Sequence, residues 1–145
     1  SPVAIEQLQA QAVPGAEFIC ADFVNSDIHT PGAYDYAYSR FTLHSINQNQ
    51  EQLLLQRVFT GLRPGGKLFV EVRSVHDPLF GKGRQVERNA WFYDNHYRRF
   101  IVLAELVAEL ERNGFLVEYA EEQRGFAPYG NDDPPVIRVV AVKPA

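Results

Sequence analysis

Residues 34–44 read YDYAYSRFTLH, and this stretch decides the fold. Its first six residues, Tyr34 to Ser39, are rich in aromatic side chains and follow the chain-breaking pair Pro31-Gly32. Both features are typical of a strand. The residues at the strand's carboxyl end, Ser39-Arg40-Phe41, would then lie at the sheet edge where open α/β folds bind their ligands.

An amphipathic helix and a second strand follow this stretch. Asn47 predicts a helix N-cap, with Gln50 as its reciprocal partner three residues later. The apolar stripe of this helix consists of Leu54, Leu55, Val58 and Leu62. Pro64-Gly65-Gly66 ends the helix and turns the chain into a strand over Lys67 to Val72.

The residues before 34 predict one helix and one buried strand. Ser1-Pro2 has the pattern of an N-cap and a first helical residue, and the helix should end near Val13-Pro14-Gly15. Its apolar face would carry Ile5, Leu8 and Ala12. Glu17 to Ala21 is a short apolar run, typical of a strand covered on both faces, and it leads into Asp22-Phe23. Cys20, the only cysteine, is therefore expected to be a core thiol.

The C-terminal third predicts a helix and two strands. The helix should span Phe100 to Asn113, with Asn113-Gly114-Phe115 as its left-handed cap. The strands should span Leu116 to Ala120 and Val136 to Val142, joined by a loop over Gly125 to Pro135. The whole order of elements predicts an α/β fold whose sheet is mostly parallel, with an antiparallel strand at the C-terminus.

Composition limits the class of partner. A chain of 145 residues that is 46% hydrophobic predicts one domain over residues 1–145. The net charge of -4 argues against nucleic-acid binding and favours a small molecule. No apolar run reaches the roughly 20 residues that span a bilayer, so we expect no membrane segment and a cytoplasmic location. One cysteine and four scattered histidines lack metal-ligand spacing, so we expect no metal.

Three segments, taken in order, resemble class I S-adenosylmethionine-dependent methyltransferases. They are residues 18–23 (FICADF), residues 34–44 and residues 62–68 (LRPGGKL). The resemblance covers essentially the whole chain, because that family also finishes with a helix and two strands, the last one antiparallel. It implies a truncated Rossmann-like methyltransferase sheet and S-adenosylmethionine as the cofactor.

The resemblance also implies roles for single residues. Asp22 matches the acidic residue that accepts a hydrogen bond from the adenine amino group, and Phe23 supplies the amide that meets a ring nitrogen. Asp22 as a simple turn former is the alternative interpretation. The segment Ser39, Arg40 and Phe41 would border the methionine part of the cofactor. His44 would act as general base or orient the acceptor, unless it is a solvated or core-satisfied histidine.

The start of the family pattern is missing from this sequence. Complete members begin with two strands and a glycine-rich loop, and Ser1-Pro2-Val3-Ala4-Ile5 resembles the helix that follows them. The missing strands would lie between Glu17 to Ala21 and Tyr34 to Ser39. We therefore expect this partial domain to close the gap by direct pairing, or by a strand from a partner chain in a homodimer.

Residues 73–99 predict a lid on the acceptor side, because the family often builds its acceptor site after the fifth strand. Connecting loops on a rigid scaffold commonly carry binding residues. The substrate-binding candidates are Arg73, His76, His96, Arg98 and Arg99. Guanidinium groups suit phosphate or carboxylate, although a solvated basic loop would have the same composition.

The leading hypothesis is therefore a methyltransferase acting on a small acceptor that is anionic or sugar-like. The alternative is a non-catalytic fragment of that fold, which dimerises and binds no cofactor. A nucleotide-binding or NAD-binding oxidoreductase is a weaker third option, since no hydride-transfer residues stand out.

Overall fold

A computed structural model describes residues 1–27 and 29–145 of the chain. The helices are α1 (Pro2–Ala10), α2 (Gln48–Gly61) and α3 (Leu103–Arg112), with a 3₁₀ turn at Leu43–Ser45. The strands are β1 (Tyr34–Arg40), β2 (Leu62–Arg73), β3 (Arg84–Glu87), β4 (Ala90–Tyr93), β5 (His96–Arg99), β6 (Leu116–Gln123) and β7 (Val136–Val142). Within the described ranges, the search for a helix able to cross a bilayer finds none.

The main sheet has the order β1-β2-β7-β6. β1 pairs with β2 in parallel, and β7 pairs antiparallel with both β2 and β6. Strands β1, β2 and β6 therefore run in one direction and β7 runs against them. This arrangement confirms the predicted α/β fold, mostly parallel with an antiparallel C-terminal strand.

Local signals fix both long helices. Asn47 and Gln50 form the predicted capping box at the start of α2. At the end of α3, Gly114 has φ +97° and the Phe115 amide donates to the Leu110 carbonyl at 3.1 Å, so the predicted left-handed cap is confirmed. The two helices bury one face of the sheet in a core that includes Leu54, Leu55, Val70, Val72, Leu106, Leu110, Ile137 and Val139.

The helix ends earlier than predicted, at Gly61, so Leu62 belongs to β2 and residues 64–66 form an irregular start to that strand instead of a helix-ending turn. Tyr34 pairs with Leu62 whereas Tyr36 pairs with Lys67, so the extra residues lie in a bulge on β2. A Cβ atom on Gly66 would come within 2.9 Å of the Asp35 carbonyl oxygen. Only glycine lets the two backbones approach this closely.

The predicted strand at residues 17–21 is wrong. These residues form no regular secondary structure, and Cys20 is exposed instead of buried in the core. An apolar run forms a strand only where a neighbour supplies hydrogen-bond partners. Within residues 1–27 and 29–145, β1 pairs with β2 alone, so the predicted closure of the gap by direct pairing is also wrong.

The segment between β2 and α3 folds into its own small sheet. Strands β3, β4 and β5 pair antiparallel in that order. An aromatic cluster of Phe80, Trp91 and Phe100 packs with ring centroids 4.4 to 6.1 Å apart. The Ile101 amide donates to the Arg73 carbonyl at 2.9 Å, which ties the exit of the segment to its entrance.

Candidate functional site

The carboxyl ends of β1 and β2 meet around the buried carboxylate of Glu71, which is 5% exposed. One of its oxygens accepts a hydrogen bond from Arg40 Nε at 3.0 Å, and the other accepts from Arg138 Nε at 2.6 Å. The Phe41 amide donates to the Glu71 carbonyl at 2.8 Å. A buried carboxylate requires such partners. Glu71 therefore fixes the end of β1, a role that no local sequence pattern indicates.

Of the three predicted cofactor residues, Ser39 and Arg40 end β1 and Phe41 follows in a bend. Phe41 has φ +53°, a left-handed conformation that is uncommon for a bulky side chain. The Ser39 and Thr42 hydroxyls are hydrogen-bonded to each other. The Arg40 guanidinium carbon lies 5.3 Å from the centroid of the Phe41 ring. Strained backbone of this kind is common at ligand sites and persists because its surroundings hold it.

His44 follows this bend as a half-buried residue. Its pKa is lowered to about 4, chiefly by burial and then by the charges of Arg73 and Arg98. Its Nδ1 atom is buried without a hydrogen-bond partner among the described residues. His44 is therefore neutral at pH 7 and a weak base there, able to orient a hydrogen-bonding group.

Asp22 begins a turn, as the alternative interpretation proposed. Its Oδ1 accepts from the Val24 amide at 2.9 Å, and its Oδ2 accepts from the Asn25 side chain at 2.9 Å. These hydrogen bonds lower the pKa of the Asp22 carboxyl, first the bond from Asn25 and then the bond from Val24. The ionised carboxylate is exposed, and each oxygen keeps a second lone pair for another donor.

The turn that carries Asp22 is held against α2. Arg57 donates to the Val24 and Ser26 carbonyls, at 2.5 Å each. Phe23 is half-buried, and its carbonyl oxygen lies 2.6 Å from His29 Nε2. Turn chemistry and a long-range arginine therefore position the two predicted adenine-side residues, without a strand before them.

The substrate-side candidates fall into different environments. Arg99 is 7% exposed and forms an ion pair with Glu51 at 3.2 Å, while its Nε donates to the Ile46 carbonyl at 2.8 Å. Arg98 is half-buried and donates to the Tyr93 carbonyl at 3.2 Å. Adjacent residues of a strand point to opposite faces, so the two guanidinium groups are not side by side.

The other three candidates lie at the two ends of the segment. Arg73 donates to Asp77, a carboxylate only 4% exposed, at 2.6 Å. His96 is exposed at the start of β5. His76 Nδ1 lies 2.6 Å from Glu122 Oε2, and the Ser74 hydroxyl donates to the other oxygen of Glu122.

Two residues that contact each other beside His76, Ser74 and Glu122, were not predicted as site residues. Ser74 and Glu122 are 48 residues apart, and the strand predicted over residues 116–120 ended before Glu122. The structure extends β6 to Gln123, which brings Glu122 level with the end of β2. Residues 121–123 (EEQ) are all polar, so no alternation of apolar and polar residues marks this extension in the sequence.

Comparisons with known proteins identify the fold. No family model and no curated protein matches the sequence. A solved structure of an S-adenosylmethionine-dependent methyltransferase from Methanosarcina mazei aligns with TM-score 0.83 and 18% identity, over 99% of this chain and 79% of that one. A second such enzyme, from Mesorhizobium loti, aligns with TM-score 0.73 and 20% identity, over 98% and 76% of the two chains.

A third solved structure contains ligands. It is the Burkholderia thailandensis 1,6-didemethyltoxoflavin-N1-methyltransferase with bound 1,6-didemethyltoxoflavin and S-adenosylhomocysteine. It aligns with TM-score 0.68 and 18% identity, over 97% of this chain and 56% of that one. At these identities the likeness establishes the fold and leaves the acceptor open.

Proposed function

We propose that this chain, which has the fold of class I S-adenosylmethionine-dependent methyltransferases, carries the adenine side and the acceptor side of a methyl-transfer site for a small acceptor. The acceptor would be anionic or sugar-like. The observation that carries the proposal is the junction at Glu71, where its buried carboxylate binds Arg40 of β1 and Arg138 of β7. The junction fixes residues 39–41, the end of β1 and the bend after it, at the carboxyl edge of the sheet, where open α/β folds bind ligands. His44 follows three residues after Phe41.

The residues present fit the cofactor that the family uses. Asp22 is exposed and ionised, with acceptor capacity left for an exocyclic amine, and Phe23 follows it in a turn held by Arg57. Ser39, Arg40 and Phe41 would border the methionine part. S-adenosylmethionine supplies an electrophilic methyl group, so the protein's work is chiefly to position the acceptor.

The acceptor side would be formed by the segment over residues 73–99. His76 and His96 keep exposed side chains there and Arg98 is half-buried, whereas Arg99 is committed to Glu51. An arginine favours an acceptor with a carboxylate or phosphate. Neutral His44 would orient it.

Calorimetric titration with S-adenosylmethionine and S-adenosylhomocysteine tests the proposal. We expect binding by the wild-type chain and at least tenfold weaker binding by Asp22→Asn, which keeps one turn-forming oxygen but loses the charge. Asp132→Asn, at an exposed turn remote in sequence, is the matched control and should bind like wild type. Absence of binding by the wild-type chain would contradict the proposal.

A second candidate is a non-catalytic module that assembles as a homodimer, and the open side of β1 favours it. Tyr36 and Tyr38 are 68% and 69% exposed, although strand tyrosines are usually covered. An apolar cavity of about 370 Å³ beside β1 is lined by Ile19, Ala21, Phe23, Tyr36 and Val58. Light scattering that gives a dimer, together with no binding of either cofactor form, would support this candidate over the first.

A further inference from the structure

We propose that His76 and Glu122 form a proton-accepting dyad on the acceptor side of the site. The proposal rests on the proposed methyl-transfer function and names the group that takes the acceptor's proton. It assigns the role of base to His76 rather than to His44, the histidine that the family resemblance favoured.

The hydrogen bonds fix the tautomer of His76. Its Nδ1 lies 2.6 Å from Glu122 Oε2, and a carboxylate can only accept, so Nδ1 carries the proton in the neutral ring. The lone pair is then on Nε2, the far side of a ring whose side chain is 69% exposed. A carboxylate behind a histidine has this orienting effect in many acid–base sites, where it also stabilises the imidazolium that forms.

Ser74 holds the carboxylate in place. It is fully buried, so its hydroxyl cannot meet a substrate, and it donates to the Glu122 oxygen that His76 does not use. The same hydroxyl oxygen accepts the His76 amide at 2.9 Å. Glu122 therefore has a fixed partner for each oxygen, and the backbone of His76 is tied to the residue that fixes Glu122.

Strand register places the dyad at the carboxyl edge of the sheet. Val136 of β7 pairs with Arg73 on one side and with Gln123 on the other, so β2 and β6 end at the same level. His76 follows that end of β2, and Glu122 precedes the end of β6. This is the edge at which the Glu71 junction holds Arg40 and Phe41, and His76 also lies at the entrance of the segment over residues 73–99.

The two histidines of this edge have opposite properties. His44 has a pKa lowered to about 4, chiefly by burial, and has no carboxylate as a hydrogen-bond partner among the described residues. His76 is exposed and hydrogen-bonded to one. A carboxylate partner holds the ring and stabilises the imidazolium that a base becomes on taking a proton, and His76 has such a partner whereas His44 has none in the part of the chain that the structure describes.

The dyad implies an acceptor that must lose a proton. A nitrogen or oxygen of the acceptor would give its lone pair to the methyl carbon of S-adenosylmethionine as the bond from that carbon to sulfur breaks. The electron pair of the broken bond remains on the sulfur, which becomes a neutral thioether. The proton of the acceptor N–H or O–H passes to His76 Nε2, and the imidazolium later releases it to water. The acceptor is therefore an amine, a phenol or another hydroxyl compound. The methylated atom is not a carboxylate oxygen, because an ionised carboxylate has no proton to lose.

A spectroscopic test examines the dyad without any cofactor. Long-range ¹H–¹⁵N spectra of the purified chain, with His76 assigned from His76→Gln, report which ring nitrogen carries the proton. We expect the Nδ1–H form in the wild-type chain and in Glu121→Ala, a control one residue away on β6. Glu122→Ala should lose that form. The Nε2–H form in the wild-type chain would overturn the dyad.

Methyl transfer then tests its role. Radiolabelled S-adenosylmethionine is offered with small primary amines, phenols and sugars, each with and without a carboxylate. We expect His76→Gln to lower kcat by about 100-fold, the lower end of what a positioned base contributes, with unchanged affinity for S-adenosylhomocysteine. Transfer that His76→Gln does not slow, or transfer to none of these compounds by a chain that binds S-adenosylhomocysteine, would overturn the dyad alone. Absence of S-adenosylhomocysteine binding would overturn the proposed function itself, and the dyad's role with it.

Discussion

Arg40 Nε lies 3.0 Å from the buried carboxylate of Glu71, and this contact joins the carboxyl ends of two neighbouring parallel strands. Arg138 of β7 binds the second oxygen of the same carboxylate. Three strands are therefore linked at the edge where the proposed cofactor would bind. The junction gives a physical reason why the left-handed conformation of Phe41 is maintained.

Glu71→Gln should destabilise the chain and loosen the bend at Phe41. The amide keeps the shape but accepts only one charge-assisted hydrogen bond, so we expect a loss of about 1 to 2 kcal/mol in the free energy of unfolding. Both arginines are partly exposed and regain water, which limits the cost. Urea unfolding measures the difference. Glu118→Gln, in an exposed pair with Lys67, should cost less than about 0.5 kcal/mol, and an equal effect of both changes would contradict the interpretation.

His44 should make the fold less stable as pH falls from about 6.5 towards 4. Its pKa is 6.5 when unfolded and about 4 when folded, chiefly because burial disfavours the charged ring. The unfolded state therefore binds the proton first, so stability rises with pH across that window and is lost as pH decreases through it. The contribution is roughly 3 kcal/mol at most, from about 1.36 kcal/mol per pKa unit.

Comparison with His44→Gln isolates this effect from other titrating groups. The difference between the unfolding free energies of the two chains should change between pH 6.5 and 4 and stay constant above pH 7. Parallel curves over the whole range would show that His44 is solvated when folded.

Arg99→Ala should be far more damaging than Arg98→Ala. Arg99 is the partner of the buried Glu51, whose pKa is raised mainly by desolvation, and removing the guanidinium leaves that carboxyl alone in the interior. Breaking a buried pair in this way costs about 3 to 5 kcal/mol. Arg98 is half-buried with one weak contact, so its loss should cost less than about 1 kcal/mol.

The double change Glu51→Leu and Arg99→Met provides the second measurement for this pair. Removing both charges should recover much of the stability that Arg99→Ala loses. The unfolding free energies of Glu51→Leu, Arg99→Met and the double variant, compared in a double-mutant cycle, give the coupling energy between the two residues. A double variant as unstable as Arg99→Ala would show that Arg99 acts through the Ile46 carbonyl instead.

Gly66→Ala should prevent the close approach of β1 and β2 at the bulge. The added Cβ would lie 2.8 Å from the Arg63 carbonyl oxygen and 2.9 Å from that of Asp35, and neither backbone atom can move independently. We expect a loss of about 2 kcal/mol or more in thermal or urea unfolding. Gly61→Ala is the control, because an added Cβ there would come no nearer than 3.6 Å to another atom and should cost less than about 0.5 kcal/mol. Equal losses would argue against a steric role for Gly66.

What the sequence predicted correctly depends on neighbours along the chain. The capping box of Asn47 and Gln50, the cap at Gly114 and the strand over residues 34–39 are set by residues a few positions apart. Strand formation at residues 17–21 depends on a partner strand elsewhere in the chain. The sequence of residues 17–21 alone does not indicate whether that partner strand is present. The same reason explains why the contacts of Glu71 and Glu122, which join residues 31 to 67 positions apart, were missed.

Cys20 offers a direct test of the segment before β1. A covered strand would protect the thiol, whereas the structure leaves Cys20 exposed in a stretch without regular secondary structure. We expect a disulfide reagent such as 5,5′-dithiobis(2-nitrobenzoate) to modify the single thiol of the folded chain at nearly the rate seen in urea. Thiolate exposure controls this reaction, so slow modification would mean that another surface covers residues 17–21. Repeating the measurement over a range of chain concentrations shows what covers the thiol if its modification is slow. Protection that increases with chain concentration would point to a second copy of the chain along β1. Protection that does not depend on concentration would contradict an exposed segment over residues 17–21.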